Sequence, residues 1–189
     1  MRSPLERAID RLRDGGVVVY PTDTLVGLGA DARNEEAVQR LVELKGRSSS
    51  QPISIALSSY EELEPFSTLP IAGRAFLRRN LPGPYTLLLP PSSGVAKLGL
   101  ARPVHPPGGA IGVRIPDHPL ARALARAVGP ITATSANRHG QPPARSVAQA
   151  RRTFGNAVDA YVDGPPAPSG RPSTLVDLSR RDAPQLRPR

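Results

Sequence analysis

The chain has 189 residues, no cysteine, and 25 Lys plus Arg against 16 Asp plus Glu, which gives a formal net charge of +9. This composition excludes disulfides, thiolate nucleophiles and Cys-based zinc sites, and no apolar run reaches the roughly 20 residues of a membrane span or resembles a secretory signal. We therefore expect a cytoplasmic protein that does not bind membranes, whose basic excess reflects either a polyanionic partner such as RNA or a coding bias towards Arg, Ala, Pro and Gly.

Short apolar runs alternate with amphipathic segments along the chain, which is an α/β pattern, and the length suits one domain over residues 1–189. Asn34 is a good N-cap for the second helix, and Gly46 supplies its left-handed end. The predicted helices cover 4–13, 35–45, 72–81, 119–128 and 146–154. The predicted strands cover 17–20, 53–57, 86–89, 111–115, 131–134, 160–162 and 174–177.

Several common motifs fail on inspection. Gly27-Leu-Gly29-Ala-Asp-Ala matches the sequence of a dinucleotide-binding fingerprint, but that motif needs its first glycine in the turn directly after a strand. Here the preceding strand ends seven residues earlier, and Pro21 intervenes. No phosphate-binding P-loop and no nucleophile elbow is present. The three histidines, His105, His118 and His139, have no metal-site spacing, and we expect each at the surface or in a loop.

Two polar clusters are each open to two interpretations. Tyr20-Pro-Thr22-Asp-Thr24 runs into a glycine-rich stretch and forms either a capped turn or a loop that holds a small ligand. Lys45-Gly-Arg47 ends a helix, where cations are favoured by the helix dipole. The same two cations could instead clamp a triphosphate.

Further polar residues follow predicted strands, the position at which α/β sheets build sites. They are Arg114 in Val-Arg-Ile-Pro, Ser135 and Asn137 in Ser-Ala-Asn, and Ser173 before the last predicted strand. Together with Lys-Gly-Arg, Pro-Gly-Pro at 82–84 and the threonine-rich loop, these segments occur in an order that resembles the YrdC/TsaC family of L-threonylcarbamoyladenylate synthases.

The resemblance spans nearly the whole chain and implies a twisted mixed α/β sheet with helices around a positively charged concave cleft. It also implies a reaction that joins L-threonine and bicarbonate into a carbamate and transfers AMP to it from ATP, which brings Mg²⁺. No organic cofactor and no metal site of the protein itself are expected. The product would pass to a threonylcarbamoyl transferase complex that modifies adenosine 37 of tRNA, with weak tRNA contact by this chain.

By the same resemblance, Lys45, Arg47, Ser135 and Asn137 form the catalytic set. ATP is assigned to Lys45, Arg47, Asn137 and Arg187, and threonine to Thr22, Arg114, Ser135 and Ser173. Preorganised cations suit adenylate formation, because the transition state gains negative charge at phosphorus. Positioning can supply much of the remaining rate, so no side-chain nucleophile is needed.

The chain departs from the family pattern at Val26, Ser48, Leu81 and His139, and Arg189 replaces the Gly that usually follows Leu-Arg-Pro. No appended C-terminal domain is expected, since the chain stops where the single-domain form stops. Two other interpretations stay open: a non-catalytic RNA-binding module using the same basic cleft, and a domain detached from a hydrogenase-maturation-type protein. The second is disfavoured because no zinc-finger cysteines or acylphosphatase-like segment are present.

Overall fold

The computed structural model describes residues 2–46, 52–66, 69, 71–90, 95–105, 109–165, 169–178 and 185–187. Its α-helices are α1 (Pro4–Arg13), α2 (Glu35–Lys45), α3 (Ile71–Asn80), α4 (Pro119–Val128) and α5 (Val147–Phe154). Its strands are β1 (Val18–Tyr20), β2 (Gly27–Gly29), β3 (Ile55–Ala56), β4 (Tyr85–Leu89), β5 (Ile111–Arg114), β6 (Ile131–Thr132), β7 (Thr134–Ser135), β8 (Ala160–Tyr161), β9 (Thr174–Asp177) and β10 (Gln185–Arg187). Within these ranges no helix is long and apolar enough to cross a bilayer.

Local chemistry sets the helix ends. Ser3 and Glu6 form a capping box at the start of α1, in which the Ser3 hydroxyl accepts from the Glu6 N–H at 3.2 Å. The predicted cap of α2 is confirmed, since Asn34 Oδ1 accepts from the Ala37 N–H at 3.0 Å. Gly46 ends that helix at φ 61°, where the absence of a Cβ removes the usual steric cost.

The strands form two mixed sheets flanked by the helices. The four-stranded sheet has the order β7-β2-β1-β8, and the six-stranded sheet has the order β10-β9-β4-β5-β3-β6. Parallel pairs join β1 to β8, β3 to β5 and β4 to β9, and the other neighbours are antiparallel. The predicted mixed α/β class is confirmed, with two sheets in place of the single sheet expected.

The strand predicted over 131–134 is divided between the two sheets. Ile131–Thr132 pairs with β3 in the six-stranded sheet, whereas Thr134–Ser135 pairs with β2 in the four-stranded sheet. Ala133 lies between them, and its N–H donates to the Ser54 carbonyl at 2.6 Å. One residue therefore carries the chain from one sheet to the other.

Both faces of β1 are covered, which explains its uninterrupted apolar sequence. Val19 packs into the larger core cluster with the strands of both sheets and α2. Val18 and Tyr20 point to the opposite face, where they pack with α1 and α4 around Leu12 and Leu124. Side chains alternate between the two faces of a strand, so Tyr20 faces the helices α1 and α4. Tyr20 is also the last residue of β1 before the polar loop.

Candidate active site

A cavity of about 370 Å³ is lined by residues of both sheets, and we call it the inter-sheet cavity. Thr22, Arg114, Ser135 and Ser173 all line it, although they come from four separate segments. The volume is within the range of small-molecule sites. The structure therefore brings together the four residues that the resemblance assigned to threonine.

Thr22 is both a turn residue and a part of the cavity wall. Its hydroxyl donates to the Leu25 carbonyl at 2.6 Å and accepts from the Thr24 N–H at 3.1 Å. The capped turn expected as one of two alternatives is thus present, and the same turn faces the cavity. Because the Thr22 hydroxyl donates its proton within the turn, it is not available as a donor to a ligand. Thr22 therefore contributes mainly to the shape of the cavity wall.

Arg114 presents a buried cation to the cavity from the end of β5. Its Nη2 donates to Asp23 Oδ1 at 2.9 Å, and the two side chains are 10% and 9% exposed. Burial lowers the pKa of Arg114, and the carboxylate of Asp23 opposes that shift. Arg114 Nε has no partner among the described residues, so the buried guanidinium keeps an unused donor.

Two hydroxyls meet where β4 lies beside the start of β9 in the six-stranded sheet. Ser173 Oγ lies 2.6 Å from Thr86 Oγ1, and both side chains are buried while lining the inter-sheet cavity. Since β4 and β9 run parallel with Tyr85 opposite Thr174, the pairing of the strands fixes this contact. The pair can donate and accept, which suits a ligand with a hydroxyl or carboxylate.

Next to the cavity lies a second polar group, which we call the Lys45 network: Lys45, Ser135 and Asn137. Lys45 is buried at the end of α2, and its Nζ donates to the Ser135 carbonyl at 2.5 Å and the Asn137 carbonyl at 3.1 Å. The Ser135 hydroxyl donates to Asn137 Oδ1 at 2.6 Å. Ser135 belongs to both sites, because it also lines the cavity.

The side chains of two predicted ATP-binding residues lie outside what the structure describes. Arg47 lies outside the described residues. Arg187 ends β10, where its backbone is in register with Leu175, a residue of the cavity wall, and its side chain lies outside what is described. The strand β10 was not predicted from the sequence.

Sequence reasoning missed Asp23, Thr86 and the role of Tyr20. An added Cβ at Gly27 or Gly29 would lie 2.9 or 2.7 Å from the Tyr20 ring, so these glycines let the ring lie flat against β2. The Tyr20 hydroxyl donates to the Thr132 carbonyl at 3.0 Å, and burial raises the pKa of Tyr20. A glycine at alternate positions opposite an aromatic residue is a signal that could have predicted this strand.

His118 lies in a loop, as expected for a histidine at the surface or in a loop, but its side chain is not at the surface. Its side chain is buried just before α4, and neither ring nitrogen has a partner among the described residues. Burial lowers the pKa of His118, although Asp23 and Asp117 oppose the shift. His118 is therefore a buried side chain close enough to Asp23 and Asp117 for their charges to influence it.

Mixed sheets that enclose a small polar cavity beside a buried lysine define an α/β protein built to bind a small polar or anionic ligand. The family described as "Telomere recombination" (Sua5–YciO–YrdC) matches residues 10–188. The chain belongs to this family.

Individual relatives agree with that assignment. A threonylcarbamoyl-AMP synthase of Thiobacillus denitrificans is 42% identical over 172 residues, which are 89% of this chain and 87% of that protein. The structure of P. abyssi Sua5 complexed with L-threonine superposes with a TM-score of 0.87 at 34% identity, covering 96% of this chain. The chain spans about half of that protein, 52% of its length. E. coli YciO superposes with a TM-score of 0.82 at 26% identity, covering 96% of this chain and 86% of YciO.

Proposed function

We propose that this protein is an L-threonylcarbamoyl-AMP synthase. The amine nitrogen of L-threonine bonds to the carbon of bicarbonate, water leaves, and a carbamate results. A carbamate oxygen then bonds to the α-phosphorus of ATP, and pyrophosphate leaves. The observation that carries the proposal is the cavity that gathers Thr22, Arg114, Ser135 and Ser173 in a chain 42% identical to a threonylcarbamoyl-AMP synthase.

Threonine is assigned to the inter-sheet cavity. The buried guanidinium of Arg114 is suited to the threonine carboxylate, since Arg pairs with carboxylates through two donors. The Ser173 and Ser135 hydroxyls are suited to the remaining polar atoms of threonine, and the turn at Thr22 shapes the wall around them. These contacts would fix the amine for attack on bicarbonate, a step that positioning can accelerate.

ATP is assigned to the side of the Lys45 network. Lys45, Asn137, Arg47 and Arg187 are the proposed contacts, and Mg²⁺ would enter bound to the ATP phosphates. The carbonyl oxygens around Lys45 Nζ hold the ammonium in place before ATP arrives. A cation fixed in advance costs little reorganisation when charge develops on the α-phosphate.

The later steps lie outside this chain. The mixed anhydride is a reactive acyl donor, so we expect a threonylcarbamoyl transferase complex to take it for adenosine 37 of tRNA, in the cytoplasm. The net charge of +9 is compatible with a weak tRNA contact during that transfer.

The decisive experiment measures pyrophosphate release by the purified protein with ATP, Mg²⁺, L-threonine and bicarbonate. We expect release that depends on threonine and bicarbonate, together with a product of the mass of threonylcarbamoyl-AMP. Release no higher than in the reaction without threonine would contradict the proposal. RNA affinity that falls in Lys45→Ala while pyrophosphate release does not would favour the RNA-binding interpretation instead.

A further inference from the structure

Asp23 lies behind the inter-sheet cavity and does not line it. Its neighbours Thr22 and Thr24 both line the cavity, so the turn directs the Asp23 side chain away from the ligand. Asp23 Oδ1 accepts from Arg114 Nη2 at 2.9 Å, and the Asp23 side chain is 9% exposed. Asp23 therefore touches Arg114, the one cavity residue with a guanidinium among those that the structure describes.

This ion pair joins the two sheets. Asp23 follows β1 of the four-stranded sheet, whereas Arg114 ends β5 in the interior of the six-stranded sheet. The Arg114 backbone is fixed independently, because its carbonyl accepts from the Leu57 N–H at 2.9 Å. Only the long side chain of Arg114 is left to be oriented, and Asp23 is the carboxylate that contacts it.

The pair leaves unused hydrogen-bonding capacity on both partners. Asp23 Oδ2 and Arg114 Nε are buried and have no partner among the described residues. A buried ion pair with unsatisfied atoms is a poor stabiliser, because desolvation of the charges offsets much of their attraction. A role in stability is thus a weak explanation for Asp23, and a role in orienting Arg114 is a better one.

We propose that Asp23 is a positioning residue, which fixes the Arg114 guanidinium so that its remaining donors meet the carboxylate of threonine. The inference rests on the proposed function, since it takes threonine as the ligand of the cavity. Without Asp23, the Arg114 side chain would sample several rotamers. Binding of threonine would then have to order that side chain, and the lost conformational entropy would lower the affinity for threonine. The loss would fall on carboxylate recognition and leave ATP binding unchanged.

The test compares Asp23→Ala, Asp23→Asn and the control Asp31→Asn by calorimetric titration with L-threonine, L-threoninamide and ATP. Asp31 is the control because its carboxylate also forms an ion pair, with Arg33 at 2.8 Å, but it lines no part of the cavity. We expect the threonine Kd to rise about tenfold in Asp23→Ala and by less in Asp23→Asn, which keeps a hydrogen-bond acceptor. ATP affinity stays unchanged in all three.

The ratio of the threoninamide Kd to the threonine Kd separates positioning from structural support. Threoninamide lacks the carboxylate, so the ratio falls in Asp23→Ala if Arg114 has lost its orientation. A general loosening of the fold would weaken both ligands equally. Threonine binding that is unchanged or tighter in a folded Asp23→Ala, or an unchanged ratio, would overturn the inference.

Two further measurements keep the outcome decisive. Should Asp23→Ala fail to fold, Asp23→Asn and the nitrogen NMR spectrum of the wild-type arginines take its place. A guanidinium of Arg114 that already rotates freely before threonine is added would overturn the inference. A wild-type protein that binds no threonine at all would instead contradict the proposed function, so the two failures are distinct.

Discussion

The inter-sheet cavity and the Lys45 network share Ser135 but satisfy their polar groups in different ways. At the cavity, Arg114 Nε and, behind the wall, Asp23 Oδ2 have no hydrogen-bond partner among the described residues. In the Lys45 network, the ammonium already contacts three oxygen atoms of Ser135 and Asn137. The cavity is thus organised to gain contacts from a ligand, whereas the network holds a cation in place through its own backbone.

The two regions should therefore contribute to ligand binding in different ways. A ligand in the cavity would supply hydrogen bonds that the buried side chains lack within the protein. The affinity for that ligand should therefore depend on individual side chains. A phosphate approaching Lys45 meets a charge whose position is set by carbonyl oxygens, so its stabilisation depends on the loop that carries them. Removing a residue should therefore have different consequences in the two regions.

The largest effect is expected for Lys45→Ala. Loss of the ammonium removes a charge from the proposed phosphate site and one donor from the Ser135 and Asn137 carbonyls, so kcat/KM for pyrophosphate release should fall at least about 100-fold. Hydrogen exchange of the loop at 137–141 should also accelerate. The control is Lys97→Ala, which removes the chain's other lysine from an exposed position. Full activity in Lys45→Ala would remove the network from the proposed mechanism.

A smaller effect on stability is expected for Gly29→Ala. Its new methyl group would lie 2.7 Å from the Tyr20 ring, so we expect the free energy of unfolding to fall by about 1–3 kcal/mol. Gly46→Ala tests the end of α2, where an added Cβ would meet no atom of the described residues within 4 Å beyond its neighbours and the backbone of its own helix, but φ is 61°, and should cost about 1 kcal/mol. Urea unfolding measures both, and equal losses would contradict the tight packing inferred at β2.

Ser173→Ala should weaken threonine selectively. Loss of one hydroxyl contact predicts an increase of about tenfold in the KM for threonine with an unchanged KM for ATP. Thr174→Ala is the matched control, because Thr174 is the adjacent residue and is exposed. Steady-state pyrophosphate release at varied threonine and ATP gives both constants, and a shift in the ATP constant alone would break the assignment of threonine to the cavity.

The smallest effect is expected for Tyr20→Phe, which removes the bond to Thr132 and should cost about 1 kcal/mol near neutral pH. Burial raises the pKa of Tyr20 in the folded state above its unfolded value of about 10. Folding therefore opposes its ionisation, and the wild type should lose stability as pH rises above about 10. Tyr20→Phe lacks this loss, so the difference between the two proteins should narrow in urea unfolding at alkaline pH.

Local patterns predicted much of the fold. The helices at Pro4–Arg13 and Pro119–Val128 begin and end where periodicity, proline and glycine placed them. Those signals lie within a few residues of one another, so no knowledge of distant segments was needed. The strand Gly27–Gly29 was missed, because its glycines are explained by Tyr20 on the neighbouring strand rather than by their own propensity.

The candidate site, like the fold, could be predicted only where local position along the chain marks a residue. Arg114 and Ser135 end strands and Ser173 directly precedes one, so the position of each along its own segment marked it as a candidate. Asp23 was not assigned, because its role depends on an ion pair with a residue 91 positions away. The contact between Thr86 and Ser173 likewise depends on the parallel pairing of β4 and β9, which no local pattern specifies.

The single residue between β6 and β7 limits how the molecule can deform. Ala133 lines the inter-sheet cavity and carries the chain directly from the six-stranded to the four-stranded sheet. One residue of extended chain spans at most about 3.6 Å, so the sheets cannot move apart at this edge. At this edge, the sheets can change their separation only by rotation about that short connection. The backbone at Ala133 thus sets a limit on the distance between β6 and β7 that no side-chain substitution can lengthen.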